Sequence, residues 1–173
     1  MTSFSVRSAT RDDGAACAAI YAPSVLDGAA SFETVPPDAA EMSARISAAL
    51  SSHAWLVLEA DGTVVGYAYA GPHRSRASYA RTCEVSVYLD GSRRHSGGGR
   101  ALYDVLIPGL ARRGYRTALA GMTLPNEASA ALHRAVGFEP VGVFRNVGYK
   151  HGQWYDTQWF QLDLAPLGRG AAL

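Results

Sequence analysis

Two hydrophobic repeats alternate along this chain, and each predicts a different kind of element. Stretches with apolar residues at every second position, or rich in β-branched and aromatic residues, predict strands. They lie at 4–7, 55–59, 63–70, 82–89, 117–123, 139–145 and 156–164. Apolar residues three and four apart predict amphipathic helices at about 42–50 and 100–113. An N-cap followed by an alanine-rich run predicts a helix at about 10–21, and a stop at Gly137 ends another at about 126–136. This order predicts a mixed α+β fold with helices on both faces of one sheet.

Turn residues mark where several of these elements end. Asp61-Gly62 predicts a tight hairpin turn, and Gly137 predicts the end of the fourth helix. Pro108 lacks an amide donor inside the third helix, so a kink or early unwinding is expected there. Because no repeat or long linker divides the chain, we expect one domain over residues 1–173, with a core at about 4–164 and a flexible tail at 165–173.

Composition narrows the class of partner. The chain has 173 residues, 48% of them hydrophobic, and a formal net charge of +1 from 16 basic and 15 acidic residues. Such a balance gives no broad positive field for a nucleic-acid backbone, so a small-molecule partner is expected. Cys17 and Cys83 lack metal-ligand spacing and are interpreted as core residues in a reducing compartment. With no export signal and no apolar run of about 20 residues, we expect a cytoplasmic protein that neither enters membranes nor binds a metal.

A glycine-rich segment joins the fourth strand to the third helix, and its residue types suit an anion. Three consecutive glycines, Gly97 to Gly99, let the main chain approach a ligand closely. N–H groups at the start of a helix bind phosphate, and Arg94 and Arg100 add charge that does not titrate. The segment therefore predicts a ligand that carries phosphates, although a lone glycine-rich loop is equally consistent with an ordinary turn.

The motif Arg-x-x-Gly-x-Gly, formed by Arg94, Gly97 and Gly99, resembles the pyrophosphate-binding loop of the GNAT acyltransferase superfamily. Further segments resemble its phosphinothricin and methionine-sulfoximine N-acetyltransferases; they are Ala68-Tyr69-Ala70-Gly71-Pro72, Glu84-x-Ser86-Val87-Tyr88, Leu124-Pro125-Asn126, Leu132-His133 and Gly148-Tyr149-Lys150-His151-Gly152-x-Trp154-x-Asp156. The resemblance implies a mostly antiparallel sheet of about seven strands, acetyl-CoA as co-substrate and a homodimer. The donor-binding residues it implies are Val85, Ser86, Val87, Arg93, Arg94, His95, Ser96, Gly97, Gly98, Gly99, Arg100 and Asn126.

Glu84 is the expected general base. Amino groups have pKa values of roughly 8 to 10, so acyl transfer at neutral pH requires a group that removes a proton from the ammonium. Glu84 interrupts an apolar strand directly after a polar loop, where its carboxylate can meet the amine directly or through a water molecule. The alternative is a glutamate on a solvated strand face. The resemblance also implies a splayed fourth strand whose Val85 and Val87 amides bind the thioester carbonyl.

Two residues of the fourth helix have alternative roles. His133 stands where many GNAT enzymes place the tyrosine that protonates the leaving thiolate, and histidine can donate a proton near neutrality. It could instead cap, pack or contact the cofactor. Asn126 could be a helix N-cap, a contact to the pantetheine arm as in the relatives, or both.

Arginines in the loop before Glu84 suggest an anionic acceptor. Arg74 and Arg76, near Tyr79, could bind a carboxylate or phosphinate through paired hydrogen bonds, although exposed loop arginines are often only solvated. Arg81 departs from the relatives, which often carry a bulky or uncharged residue there. The resemblance implies that Phe32 forms one wall of the acceptor pocket. The full set of expected acceptor contacts is Phe32, His73, Arg74, Arg76, Tyr79, Thr82, Cys83 and Glu84.

The favoured hypothesis is an N-acetyltransferase that modifies the α-amine of a small amino acid or analogue by direct attack in a ternary complex. A peptide or protein N-terminus is an alternative acceptor. A non-catalytic acyl-CoA-binding module is an alternative of another class, since a fold does not guarantee a reaction.

Overall fold

The computed structural model describes residues 4–93 and 96–168. Its strands are β1 (Phe4–Ser8), β2 (Ala54–Ala60), β3 (Thr63–Pro72), β4 (Thr82–Leu89), β5 (Thr117–Thr123), β6 (Glu139–Lys150) and β7 (Gln153–Asp163). Its α-helices are α1 (Gly14–Leu26), α2 (Ala39–Ser52), α3 (Gly98–Arg112), α4 (Glu127–Val136) and the short α5 (Ala165–Gly168). Short 3₁₀ turns lie at Arg11–Asp13, Ala77–Tyr79 and Gly91–Arg93. The predicted order of strands and helices is confirmed.

The strands form one sheet in the order β1-β2-β3-β4-β5-β7-β6. Every neighbouring pair is antiparallel except β4 and β5, which run parallel. In this order β4 and β5 lie near the centre of the sheet, and β6 forms one of its two edges. Within the described ranges, no helix is both long and apolar enough to cross a membrane.

Helices cover both faces of the sheet, as the hydrophobic pattern predicted. On one face, α1 and α2 pack over Trp55, Tyr67 and neighbouring side chains. On the other, α3 and α4 pack over a separate cluster that includes Val85 and Phe160. Because side chains of a strand point alternately to the two faces, each strand contributes to both cores. For β4 this places Val85 and Cys83 on the α3 face, and Glu84 on the α1 face together with Tyr88.

The hairpin between β2 and β3 has the predicted turn. Asp61 and Gly62 both have positive φ angles, 52° and 76°, which suit the twist of a two-residue hairpin. A second turn of this kind, at His151 and Gly152, joins β6 to β7, and the sequence analysis did not anticipate it. Both strands are consequently longer than predicted, because they continue to this turn.

The structure bears on two expectations about helices, and of these the early unwinding of α3 is wrong. Helix α3 continues through Pro108 to Arg112 without unwinding early. Pro108 has no N–H, so only the carbonyl of Asp104 loses its hydrogen-bond donor within the helix. Asp104 lies on the exposed side of the helix, where water can replace that donor. Residues 165–168, expected in a flexible tail, form a helical turn after the fully buried Leu164. The expectation for residues 169–173 lies outside the described residues.

The two cysteines are core residues, as expected. Cys17 and Cys83 are free thiols with no exposed surface, and burial raises the pKa of each to about 12. They therefore remain protonated and inert near neutral pH.

Candidate active site

The sheet opens between its two parallel strands. Strands β4 and β5 are paired only from Thr82 and Thr117 to Glu84 and Leu119. Both strands continue beyond this point, but along the rest of its length β4 pairs only with β3. Glu84 therefore lies at a fork in the sheet, and the splay of the fourth strand expected from the resemblance is confirmed.

Main-chain groups of β4 point into this fork. The N–H of Asp90 donates to a carbonyl of β3, at 2.9 Å, and the carbonyl of Arg81 accepts from the chain that leads into β5, at 2.8 Å. The β3–β4 ladder has no bulge between these positions, so strand alternation directs the N–H groups of Val85 and Val87 away from β3 and toward β5. The parallel pairing of Glu84 with Leu119 gives the Val85 N–H the Leu119 carbonyl as its acceptor. Val87 lies beyond the last β5 pair, so its N–H is the one free to bind a carbonyl oxygen.

A cavity of about 490 Å³ fills the fork. It is lined by Val85 to Leu89, the start of α3, the end of β5 and one side of α4. Ser24 and Ala30, at the end of α1 and in the connection to α2, close it from the other face of the sheet. The cavity thus reaches through the sheet, next to Val85, the residue that follows Glu84.

The first turn of α3 forms one wall of the cavity. Its N-cap, Gly97, has a φ of 85°, a left-handed conformation that an L side chain disfavours. Gly98 and Gly99 are buried against Leu58 and Leu132, so a Cβ atom on either would lie within 3 Å of a leucine methyl group. N–H groups in the first turn have no intrahelical acceptor, which makes this end of α3 suited to an anion.

The charged residues predicted for this loop are only partly described. Arg93 ends a 3₁₀ turn, and its carbonyl accepts the Ser96 hydroxyl at 2.6 Å. Arg100 donates to Asp104 at 2.7 Å and to the Ala135 carbonyl at 3.0 Å, which holds it between α3 and α4. Arg94 and His95 lie outside the described residues, so their predicted phosphate contacts stay predictions.

Glu84 is hydrogen-bonded to His73, which the sequence analysis expected only as an acceptor contact. Its Oε1 lies 2.7 Å from Nδ1 of His73, and Nε2 of the same ring accepts from Arg74 at 3.3 Å. A carboxylate can only accept, so Nδ1 carries the ring hydrogen in this arrangement. The Glu84 side chain is 37% exposed, and among the described residues its Oε2 has no hydrogen-bond partner. That oxygen can accept a proton from a ligand.

A second cavity lies on the same face as Glu84. It has a volume of about 490 Å³ and a floor of three stacked aromatic rings, Trp55, Tyr67 and Tyr69. One end reaches Gly71, the cross-strand partner of Glu84. A small molecule therefore has space to approach the carboxylate from the α1–α2 side.

Of the remaining residues predicted to contact the acceptor, several lie in the loop before β4 or on the Glu84 face of β4, and one lies in the opposite core. Arg74 lies above the Tyr79 ring, 5.9 Å from its centroid, and with Arg76 it is exposed in the loop before β4. Thr82 is half-buried on the same face of β4 as Glu84. The prediction that Cys83 contacts the acceptor is wrong, because its side chain points into the α3 core and lies 3.7 Å from the Thr117 carbonyl.

His133 is buried beside the cavity. Its Nδ1 lies 2.7 Å from the Ser129 carbonyl, so Nδ1 carries the hydrogen, and Nε2 accepts from the Tyr103 hydroxyl at 3.0 Å. Burial lowers the pKa of His133 below its ordinary value, which favours the neutral ring. Tyr103, which was not singled out from the sequence, also lines the cavity. Both ring nitrogens are thus engaged, and Nε2 faces the hydroxyl of Tyr103.

Asn126 has the predicted capping geometry. Its side-chain oxygen accepts from the Ser129 N–H at 3.1 Å, and the residue also lines the cavity. The N-cap prediction is confirmed, and the contact to a pantetheine arm stays a prediction.

A polar cluster above β4 escaped the sequence analysis. Tyr21 donates to Glu33 at 2.8 Å, Arg45 forms two hydrogen bonds with the same carboxylate, and the Tyr21 and Ser31 hydroxyls lie 2.6 Å apart. These residues come from α1, α2 and their connection, so no local spacing links them. Phe32, expected as a pocket wall, is 39% exposed and packs on Gly148 of β6.

The sheet is open between β4 and β5, the first turn of α3 lies on one face of this opening, and the Glu84 carboxylate lies on the other. Such an arrangement suits an acyltransferase whose donor carries phosphates. Comparison with known proteins agrees, because residues 6–159 match the family model described as an acetyltransferase (GNAT) domain. The chain therefore belongs to the GNAT acetyltransferase family.

Two relatives and one solved structure are similar over nearly the whole chain. A phosphinothricin N-acetyltransferase of Alcaligenes faecalis is 43% identical over 161 residues, covering 92% of this chain and 82% of the relative. An L-methionine sulfoximine/L-methionine sulfone acetyltransferase of Salmonella typhimurium is 36% identical, covering 92% and 94%. The crystal structure of a Sinorhizobium meliloti phosphinothricin acetyltransferase in complex with acetyl-CoA superposes with a TM-score of 0.89 at 37% identity, covering 92% and 88%. The resemblance inferred from sequence motifs is confirmed.

Proposed function

We propose that this protein is an acetyl-CoA-dependent N-acetyltransferase that modifies the α-amine of a small amino acid or amino-acid analogue. The observation that carries this proposal is the fork that begins at Glu84, where β4 leaves β5 and Val87, whose N–H has no β5 partner, lines the cavity. The names of the relatives support acceptors such as phosphinothricin, methionine sulfoximine and methionine sulfone.

Acetyl-CoA would supply the acetyl thioester, and the residues at the fork suit its parts. The first turn of α3, with Gly97 to Gly99, offers amides for the diphosphate, and Arg93 adds charge nearby. Asn126 lies where the pantetheine arm would pass. The N–H of Val87 would stabilise the charge that develops on the carbonyl oxygen.

The acceptor would bind on the α1–α2 face. Glu84 would take the proton of the ammonium group through its free Oε2, while His73 holds Oε1 in place. Arg74 and Arg76 would bind the carboxylate or phosphinate of the acceptor. Holding the amine beside the thioester removes much of the entropic barrier to the reaction.

The thiolate that leaves the acetyl group needs a proton. Tyr103 and His133 share a hydrogen bond and both line the cavity, so this pair would supply it. A His133 ring that has taken up a proton from water would donate from Nε2 to the Tyr103 oxygen while the Tyr103 hydroxyl gives its own proton to the thiolate, which leaves both side chains neutral. Loss of the tyrosine hydroxyl alone then slows the reaction as much as loss of the imidazole, because the two act as a unit. Separate Tyr103→Phe and His133→Gln variants, compared in turnover, test this.

A second copy of the chain would pair with β6. This strand lies at the sheet edge, and its exposed apolar side chains are Val141, Val143, Phe144, Val147 and Tyr149. An unpaired apolar edge strand favours antiparallel pairing with its own copy about a two-fold axis. Light scattering tests this: Val143→Asp should give monomers, whereas Val105→Asp, an equally exposed valine on α3, should leave the dimer intact. A wild-type monomer would refute the dimer.

We place the reaction in the cytoplasm. This rests on the need for acetyl-CoA, a metabolite of the cell interior, and on two thiols that are free in the structure.

Release of coenzyme A thiol from acetyl-CoA tests the function directly. The acceptor panel contains phosphinothricin, methionine sulfoximine, methionine sulfone, ordinary amino acids and short peptides. Release with the first three, and with the acetylated amine identified by mass spectrometry, supports the proposal. If only peptides were acetylated, the acceptor would be a protein or peptide N-terminus instead. If acetyl-CoA bound but no amine caused release of the thiol, the chain would be a non-catalytic binding module.

A further inference from the structure

Lys150 is the only lysine among 16 basic residues, and it is buried. Its Nζ donates to the main-chain carbonyls of Val25 and Ser31, at 2.6 Å each. An ammonium group is costly to bury without such partners, and burial lowers its pKa. A compact ammonium can serve two converging carbonyls from one point, which a planar guanidinium does less readily.

The two carbonyls lie on either side of the first part of the connection that follows α1, which runs over residues 27–38. Val25 belongs to the last turn of the helix, where a positive charge is favourable, and Ser31 lies within the connection. Between them, Ala30 lines the cavity at the fork. Lys150 therefore attaches a wall of the active-site cavity to β6.

The Ser31 hydroxyl extends this attachment toward β4. It lies 2.6 Å from the Tyr21 hydroxyl and accepts from the Glu33 N–H at 3.1 Å. The Tyr21 ring packs edge-on against Tyr88, with centroids 4.9 Å apart. Tyr88 shares its face of β4 with Glu84, so movement of the connection would reach the face where the acceptor binds.

A second contact joins the same two segments. The Phe32 ring packs directly on Gly148, where an added Cβ would lie only 2.1 Å from a ring carbon. Phe32 follows Ser31 in the chain, so any residue larger than glycine at 148 would push the connection away from β6. Gly142, also in β6, has open space within 4 Å of the position that an added Cβ would occupy, and it offers a matched control.

We propose that Lys150 is a positioning residue for the acceptor: its hydrogen bonds to Val25 and Ser31 hold the connection after α1 in the conformation that completes the acceptor side of the cavity. This inference rests on the proposed function. The residue acts through the Val25 and Ser31 carbonyls and not on the reacting atoms.

The kinetic test uses Lys150→Met, which keeps an unbranched side chain and removes the ammonium. The expected result is an acceptor KM raised at least tenfold, with kcat and the dissociation constant for acetyl-CoA changed less than threefold. An unchanged acceptor KM in a folded variant would overturn the inference, as would an equal loss of acetyl-CoA affinity.

A second test requires no turnover. Because the chain has a single lysine, mass spectrometry of the peptide that contains residue 150 reports the reaction of its amine with an N-hydroxysuccinimide ester. Gly148→Ala should accelerate this labelling at least tenfold, and Gly142→Ala should leave it within twofold of wild type. Equal rates in the two variants would contradict the attachment.

The two tests separate failure of this inference from failure of the proposed function. If wild type acetylates no amine, the function is refuted while the labelling rates still report on the attachment. If wild type is active but both variants behave like wild type, only the role of Lys150 is refuted.

Discussion

Replacing Glu84 with glutamine removes one proton acceptor and leaves the rest of the site nearly unchanged. The amide has the size of the carboxylate, and its oxygen can still accept the hydrogen bond that His73 donates at 2.7 Å. Because Glu84 is 37% exposed and makes no contact in either hydrophobic core, we expect the free energy of unfolding to stay within about 0.5 kcal/mol of wild type. A change in rate then reports chemistry rather than folding.

The size of the effect follows from the ionisation of the acceptor. An amine with a pKa of roughly 9 is about 1% neutral at pH 7 and about 10% neutral at pH 8. A base that removes the proton in the complex recovers this lost fraction, so Glu84→Gln should lower kcat/KM about 100-fold at pH 7 and about tenfold at pH 8. The first value is about 2.7 kcal/mol of barrier, at the lower end of what general bases contribute.

The assay is thiol release at saturating acetyl-CoA, from pH 6 to pH 9.5. The variant should gain about tenfold per pH unit until it approaches wild type near the pKa of the amine. Glu139→Gln, an exposed glutamate of β6, is the control and should match wild type throughout. A Glu84→Gln rate within threefold of wild type at pH 7, or a deficit independent of pH, would refute the assignment of Glu84 as base.

Three further variants test other parts of the site. Gly97→Ala forces an L side chain into a left-handed conformation that costs about 1–2 kcal/mol, so acetyl-CoA should bind at least fivefold more weakly by calorimetry, while Gly91→Ala should bind normally. Burial lowers the pKa of His133 below 6.5, so below about pH 6.5 the unfolded chain binds a proton that the folded chain excludes. The free energy of unfolding should therefore fall as pH drops through this range, less steeply in His133→Gln; equal slopes would contradict the buried neutral ring. Asn126→Ala removes the α4 cap and should cost about 1 kcal/mol in urea denaturation, and an unchanged midpoint would count against the cap.

Much of the fold was predictable because its signals are local. The Asp61-Gly62 turn, the Gly137 helix end and the Asn126 cap each depend on residues within a few positions of one another. The same reasoning failed at Pro108, since whether a helix tolerates proline depends on whether water can reach the carbonyl it leaves unpaired.

The site divides in the same way. The glycine-rich loop and Glu84 stand out as short motifs. Cys83 was misassigned because adjacent residues of a strand face opposite sides of the sheet, so it cannot share the acceptor side with Glu84. Tyr103 resembles any apolar position of α3, and only packing brings its hydroxyl to His133. The single lysine was a signal in the composition, but its partners lie 119 and 125 positions away.

The sequence by itself determined the order of elements, the anion-binding helix start and the family, because periodicity, turn residues and short motifs act over a few neighbouring residues. Only the tertiary structure decided where β4 leaves β5, which face each side chain of β4 occupies, and how Lys150 attaches the cavity wall to β6. These features depend on contacts between segments far apart in the chain, and such contacts form only when both cores pack against the same sheet.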